Sequence, residues 1–281
     1  MPDVRPVVRP AAVAGTFYPA HAGALTRAVE ACLADVAAPI AAIPAPASAL
    51  SPWPKALIVP HAGYVYSGPI AASAYARLVP ARGNVRRVVL FGPAHRVALR
   101  GLAVPMATAF ATPLGSVPVD ADALAALADL PYVVTSEAVH ADEHSLEVQL
   151  PFLQAILGQF SIVPFAVGAA SGEEVATVMD RLWGGPETLL LVSSDLSHYH
   201  PYAAARRLDQ CTADAVLALD PDLDHEQACG ATPINGLLRC VAARGLVPTL
   251  LDLRNSGDTA GDRSRVVGYA AFAFDEVTLH G

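Results

Sequence analysis

Although 53% of its 281 residues are hydrophobic, the chain has no uninterrupted apolar run of membrane-spanning length. Crossing a bilayer as a helix takes roughly 18 or more consecutive apolar residues; here the apolar content is largely Ala spread through helix-like stretches, so no membrane association is expected. Cysteine is scarce: Cys32, Cys211, Cys229 and Cys240 form no C-x-x-C pair and no disulfide-dense spacing, as expected in a reducing compartment. Positive charge is scarce too, with 18 Lys and Arg against 26 Asp and Glu and a net charge of -8. A nucleic-acid surface needs concentrated positive charge, and the pairs Arg86-Arg87 and Arg206-Arg207 do not supply it, so no nucleic-acid partner is expected. Prolines and an acid interrupt the first residues, MPDVRPVVRP, where a signal peptide carries a continuous apolar core. The expected location is cytoplasmic. There is no G-x-S-x-G elbow, Walker A loop or dinucleotide G-x-G-x-x-G, which leaves a serine nucleophile at Ser194 and nucleotide cofactors without support.

What is present is an alternation of strand and helix patterns. The apolar runs ALIV (56–59), VVLF (88–91) and LLLV (189–192) read as buried parallel strands. Helical spacing is expected over 23–35, from about Ser67 to Leu78, over 120–129, from about His144 to Leu157, and over 172–183, 202–219 and 233–243. The last two strands, near 246–253 and 265–274, lack a helix between them and are expected to pair antiparallel at one edge. The pattern predicts an α/β fold, a layered sandwich around a mostly parallel mixed sheet, in one domain over 1–281. The Ala/Pro-rich stretch at 36–54 is expected to be a surface loop.

Four histidine segments follow or open these elements: VPHAGYVYSG at His61, LFGPAHR at His95, DEHSLEVQLPFL at His144 and SSDLSHYH at His198. Ligands of open α/β sheets bind outside the carboxyl ends of the strands, where His61, His95 and the Asp195/His198 pair would emerge. His61 alone reads either as a turn-stabilising loop histidine or as a site residue, with Ser67 as the expected cap of the following helix. Two neighbouring strands each ending in a turn and a histidine point to metal ligation, since neutral imidazole binds zinc, iron and copper. His144 sits at a helix start, where the dipole favours its neutral form and suits a base or a ligand; Glu143 reads as a first-turn acid. Asp195 and His198, three apart, read as an acid/base unit or as a helix cap beside an exposed histidine. Cys229, ahead of a helix that starts at Pro233, reads either as a low-pKa thiolate able to ligate metal or as a buried free thiol. Cys32 and Cys211 lie in amphipathic patterns that suit small buried hydrophobes. His140-Ala-Asp-Glu143-His144 also matches the short H-x-x-E-H pattern of zinc peptidases. His21, His200, His225 and His280 are expected at the surface.

Taken in order, GTFYP, PHAGYVYSG, GPAHR, EHSLEVQLPFL, SSDLSHY, CGATPINGLL and NSGDTAGDRSRVVGYAA resemble the Memo family, whose prokaryotic members are called AmmeMemoRadiSam system protein B. The blocks run from about Gly15 to Phe274. The resemblance implies a fold like that of class III extradiol dioxygenases, with metal ligands at His61, His95 and Cys229. It places Asp195, His198 and His144 in the same pocket as the catalytic candidates. Thr232 stands where some members have histidine in C-G-x-H-P-I, so that histidine's role is absent here.

These expectations converge on a dioxygenase-type oxidoreductase with iron or copper, zinc being the other candidate, acting on an unknown small molecule. The alternative is a non-catalytic metal-binding or adaptor protein working with radical-SAM and AMMECR-type partners. A third reading is a zinc hydrolase using His140 and His144.

Overall fold

The computed structural model describes residues 7–41 and 50–277. Its strands in chain order are β1 (Val8–Arg9), β2 (Ala56–Val59), β3 (Arg87–Pro93), β4 (Leu102–Val104), β5 (Ala109–Thr112) and β6 (Gly115–Pro118). They continue with β7 (Val133–Thr135), β8 (Ser161–Val167), β9 (Thr188–Ser193), β10 (His198–His200), β11 (Val247–Asn255) and β12 (Val266–Asp275). The helices are α1 (Ala22–Ala41), α2 (Tyr64–Tyr75), α3 (Ala121–Ala125), α4 (Glu137–Ala141) and α5 (His144–Glu147). After them come α6 (Leu150–Leu157), α7 (Gly172–Arg181), α8 (Tyr202–Leu217), α9 (Ala231–Arg244) and α10 (Ser256–Thr259).

Nine strands build one sheet in the order β10-β12-β2-β9-β3-β8-β4-β7, with β11 paired along β12. The central strands β2, β9, β3 and β8 are parallel, while β12 on one side and β4 on the other join antiparallel. The sheet is therefore mixed around a parallel centre. The three apolar runs occupy that centre because each is hydrophobic at consecutive positions and so can be covered on both faces. Leu57, Leu90 and Leu191 face one core with residues of α1, α2 and α6. Their neighbours Ile58, Phe91 and Val192 face the other, with α7 and α9. Burying each such side chain contributes about 1.5–3 kcal/mol, and the result is a three-layer α/β sandwich.

The final strands pair antiparallel as expected, from Val247↔Asp275 to Asn255↔Gly268. A separate three-stranded sheet, β1-β5-β6, is additional to the expected architecture. Its two-residue β1 pairs with β5 across a hundred residues, too short to carry a periodic signal. The Ala/Pro stretch is not all loop: α1 extends to Ala41, and 42–49 lie outside the described residues, as does His280. The helix after His61 starts at Tyr64 rather than Ser67, capped by the Gly63 backbone; the buried Ser67 hydroxyl donates to Ala62 O at 2.8 Å. The expected helix from His144 to Leu157 is two helices, α5 and α6, with Pro151 in the first turn of the second, where its missing N–H is harmless. Among the described residues no helix is long and apolar enough to cross a membrane.

Candidate metal centre

Because β2, β9 and β3 are adjacent and parallel, the segments that follow them leave the sheet at one edge. His61 emerges just past β2, Asp195 just past β9 and His95 just past β3. Cys229 arrives from one helical layer, ahead of α9, and His144 from the other, as the first residue of α5. Two glycines permit this approach. A Cβ on Gly92 would sit 2.6 Å from Ser145 Oγ, and one on Gly230 would sit 2.7 Å from Ser194 Cβ. Side chains at these positions would push α5 off β3 and Cys229 off the β9 end.

His61 is 2% exposed. Its N–H donates to Asp195 Oδ1 at 2.7 Å, its Nδ1 lies 2.9 Å from Ser193 Oγ, and its Nε2 lies 3.3 Å from Cys229 Sγ. The His95 N–H donates to Glu143 Oε2 at 2.6 Å, and its Nδ1–H donates to Glu143 Oε1 at 2.9 Å. The three imidazoles of His61, His95 and His144 are in mutual contact, with ring centroids 4.7–5.4 Å apart. One ligand atom each from His61, His95 and Cys229 lie within 4.8 Å of one another. His95, Glu143 and His144 form a second such group, but there the carboxylate already accepts from His95 twice and from Ser145 N–H. It serves as the outer partner of His95.

The electrostatics follow from burial. The His61 pKa is pulled down to about 3 by burial and then by the neighbouring His95. That of His144 falls to about 4, through burial first and His61 second. The direction agrees with the neutral His144 expected from the sequence, but burial rather than a helix dipole dominates, α5 being a four-residue helix. Burial raises Glu143, yet the His95 ring, the His95 N–H and the Ser145 N–H together outweigh it and hold the carboxyl at about 2. Asp195 is shifted upward, burial outweighing the His61 N–H. Cys229 corrects the low-pKa thiolate expectation: burial, followed by Asp195, pushes its thiol up to about 12. A divalent cation reverses that preference, because coordination deprotonates a thiol outright. Two imidazoles and a thiol, with His61 buried and His95 open to solvent, form a donor set that fits a metal ion.

His61 and His95 open into a cleft of about 610 Å³ whose walls include Phe17, Tyr66, His144, Asp195, His198 and Arg265, while Cys229 lines a neighbouring hollow with His95 and His225. His198 and Asp195 share this cleft, but the Asp195 carboxylate spends its hydrogen bond on the His61 N–H instead of on His198. Beside His198, Tyr199 adopts φ of 62°, and the register of β10 on β12 shifts between His198 and His200. His140 lies apart: it is fully buried, its Nε2–H donates to Ala103 O at 2.9 Å, and it packs against Phe110. Since α4 ends at Ala141 and α5 begins at His144, the zinc-peptidase pairing has no continuous helix to stand on. Cys211 is exposed rather than buried. His225, like His21 and His200, is at the surface, its Nδ1 3.3 Å from Cys229 O and its Nε2 3.3 Å from the Thr232 hydroxyl.

Sequence reading missed Glu143 as the partner of His95, together with Ser193 and Gln149 behind His61. It also missed the buried pair of Arg9 and Glu147. Arg9 donates to Glu147 Oε2 at 2.6 Å, to His140 O at 2.6 Å and to Glu143 O at 2.7 Å. Glu147 also accepts from the Ala12 and Val13 N–H groups and from the Tyr18 hydroxyl. This network fastens the N-terminal segment to α5, the helix that presents His144. Polar residues inside an otherwise apolar helix pattern were the available signal.

A layered α/β protein with a His/His/Cys cluster at the carboxyl edge of its parallel strands is the class that fold and site define. The sequence signature of the family described as Memo-like protein matches residues 9–273, and the chain belongs to that family. It is 37% identical to a MEMO1 family protein of Ignicoccus hospitalis, over 95% of this chain and 99% of that one. It is 36% identical to a MEMO1 family protein of Aquifex aeolicus, with the same coverage of 95% and 99%. A Thermotoga maritima MEMO1 family protein is 34% identical, over 93% and 97% of the two chains. Among solved structures, an uncharacterized Escherichia coli K12 protein aligns with 76% of this chain and 98% of its own, at 15% identity and a TM-score of 0.45.

Proposed function

We propose that this Memo family member is a metal-dependent oxidoreductase of dioxygenase type acting on a small molecule, with His61, His95 and Cys229 holding a redox-active iron or copper ion. The observation that carries the reading is the convergence of those three donors within 4.8 Å, two of them, His61 and His95, lining a cleft large enough for a small substrate. Imidazole and thiolate suit iron, copper and zinc over magnesium or calcium. When bound, such a metal supplies a Lewis-acidic position at which dioxygen and a substrate oxygen can meet.

The chain's own residues supply the rest. His144, neutral at physiological pH because burial draws its pKa down to about 4, lines the cleft and is the first candidate to take a proton from a substrate hydroxyl. His198 lines the same cleft and is the second proton-transfer candidate. Asp195 holds the His61 backbone, and Phe17 and Tyr66 give the cleft aromatic walls for a planar substrate. Dioxygenation places both atoms of O₂ in the product, so the reaction needs no separate reductant.

The test is O₂ uptake by protein loaded anaerobically with iron(II) or copper(I) and offered a panel of small phenols. Uptake matched one-to-one by substrate loss is expected. Loaded protein that consumes no O₂ with any of them defeats the enzymatic reading.

One observation favours a second reading: a thiol stands where two-histidine oxygenases place a carboxylate. A non-catalytic metal-binding or adaptor role, alongside radical-SAM and AMMECR-type proteins, then follows, with metal or partner binding and no O₂ uptake.

A further inference from the structure

Behind His61 lies a chain of buried polar groups whose proton positions are forced one by one. Gln149 comes first. Its Oε1 accepts from the Tyr75 hydroxyl at 2.7 Å, and its Nε2 lies 2.9 Å from Pro60 O, which can only accept. Flipping the amide would set its oxygen against that carbonyl, so Nε2 faces Pro60 and, at 2.8 Å, Ser193 Oγ.

Ser193 has one proton to place. The Gln149 amide is a donor toward it, while Ser145 O, at 2.6 Å, is an acceptor. The hydroxyl therefore donates to Ser145 O and accepts from Gln149. Its remaining lone pair faces His61 Nδ1 at 2.9 Å. If Nδ1 were bare, two lone pairs would meet in a site that is 0% exposed at Ser193, leaving a buried polar contact unsatisfied. Nδ1 must carry the ring's proton.

We infer that Ser193, locked by Gln149 and the Ser145 carbonyl, is a positioning residue that holds His61 as the Nδ1–H tautomer, leaving its Nε2 lone pair free for the metal. The inference rests on the reading of His61 as a ligand and is independent of whether the protein turns over O₂. In this tautomer Nε2 is bare and faces the Cys229 sulfur at 3.3 Å. A metal held by His61 and Cys229 would then need no ring flip or tautomer change of His61. Outer partners that fix a ligating histidine in this way typically contribute 10–100-fold in metal affinity.

The tautomer is read directly in metal-free wild-type protein labelled with ¹⁵N-histidine, by long-range ¹H–¹⁵N correlation at neutral pH. His61 is expected to show a protonated Nδ1 and a bare Nε2. A protonated Nε2, or comparable populations of both tautomers, overturns the inference without reference to any variant. Cobalt(II), followed by its thiolate absorption, provides the second readout. Ser193→Ala and Gln149→Met are expected to bind it about 10–100-fold more weakly than wild type, and Ser193→Thr, which keeps the hydroxyl, to recover most of the loss. Folded Ser193→Ala with wild-type cobalt affinity and an unchanged His61 tautomer contradicts the proposed role. Failure of wild type to bind cobalt at all would instead strike the ligand assignment, which the tautomer measurement leaves untouched.

Discussion

Glu143 clasps His95 at two points, taking the backbone N–H on one carboxylate oxygen at 2.6 Å and the ring Nδ1–H on the other at 2.9 Å. The same carboxylate caps α5 through the Ser145 N–H at 2.9 Å, so the loop after β3 and the start of α5 share one anion. A ligating imidazole whose far nitrogen donates to a carboxylate is oriented and made more basic. Glu143→Gln is expected to weaken cobalt(II) binding about 10–100-fold while the protein stays folded. An isotherm unchanged from wild type would remove Glu143 from the metal centre.

The pair Arg9 and Glu147 is buried at both ends, with side chains 1% and 0% exposed. Removing one partner strands a charge in the core, at about 3–5 kcal/mol, whereas replacing both with apolar residues of similar size is far less harmful. Arg9→Met should therefore lower stability in urea by that amount, and Arg9→Met with Glu147→Met should recover much of it. Additive losses in the double variant would show that the two charges are not energetically coupled.

How far the sequence carried can be judged from these residues. ALIV, VVLF and LLLV were legible as central strands because each remains apolar at every position, and their order placed His61, His95 and Asp195 at one edge. The local context of Cys229 left ligand and buried thiol both open, and its place beside His61 came through resemblance, because a separation of 168 residues leaves no local periodicity to read. Glu143 and Arg9 were illegible as functional residues for the same reason, their partners lying 48 and 138 positions away. Helix limits failed where local chemistry left two solutions, as at Ser67, whose hydroxyl bonds a carbonyl instead of capping. Burial also decided Cys229, since proximity to a helix start lowers a thiol pKa only where desolvation does not exceed it.

Acid sensitivity follows from the histidines kept neutral. His140 is drawn down to about 4, chiefly by burial, from an ordinary 6.5. Between those values the unfolded chain binds a proton at this residue that the folded chain refuses, so stability is full above pH 6.5 and falls as pH drops toward 4. Each such group adds a slope of about 1.4 kcal/mol per pH unit. His140→Gln in the metal-free protein should give a stability curve shallower than wild type by one proton across this window. Parallel curves would mean that His140 accepts its proton in the folded state.

Metal content decides the central claim. Protein purified without oxygen, exposed to iron(II), copper(I) or zinc and then desalted, is analysed for metal per chain beside His61→Ala, His95→Ala and Cys229→Ala. About one ion per wild-type chain is expected, held by the His61, His95 and Cys229 cluster, with most of it lost in each ligand variant and retained in His140→Ala. Full metal in all three ligand variants, or none in the wild type, would contradict it.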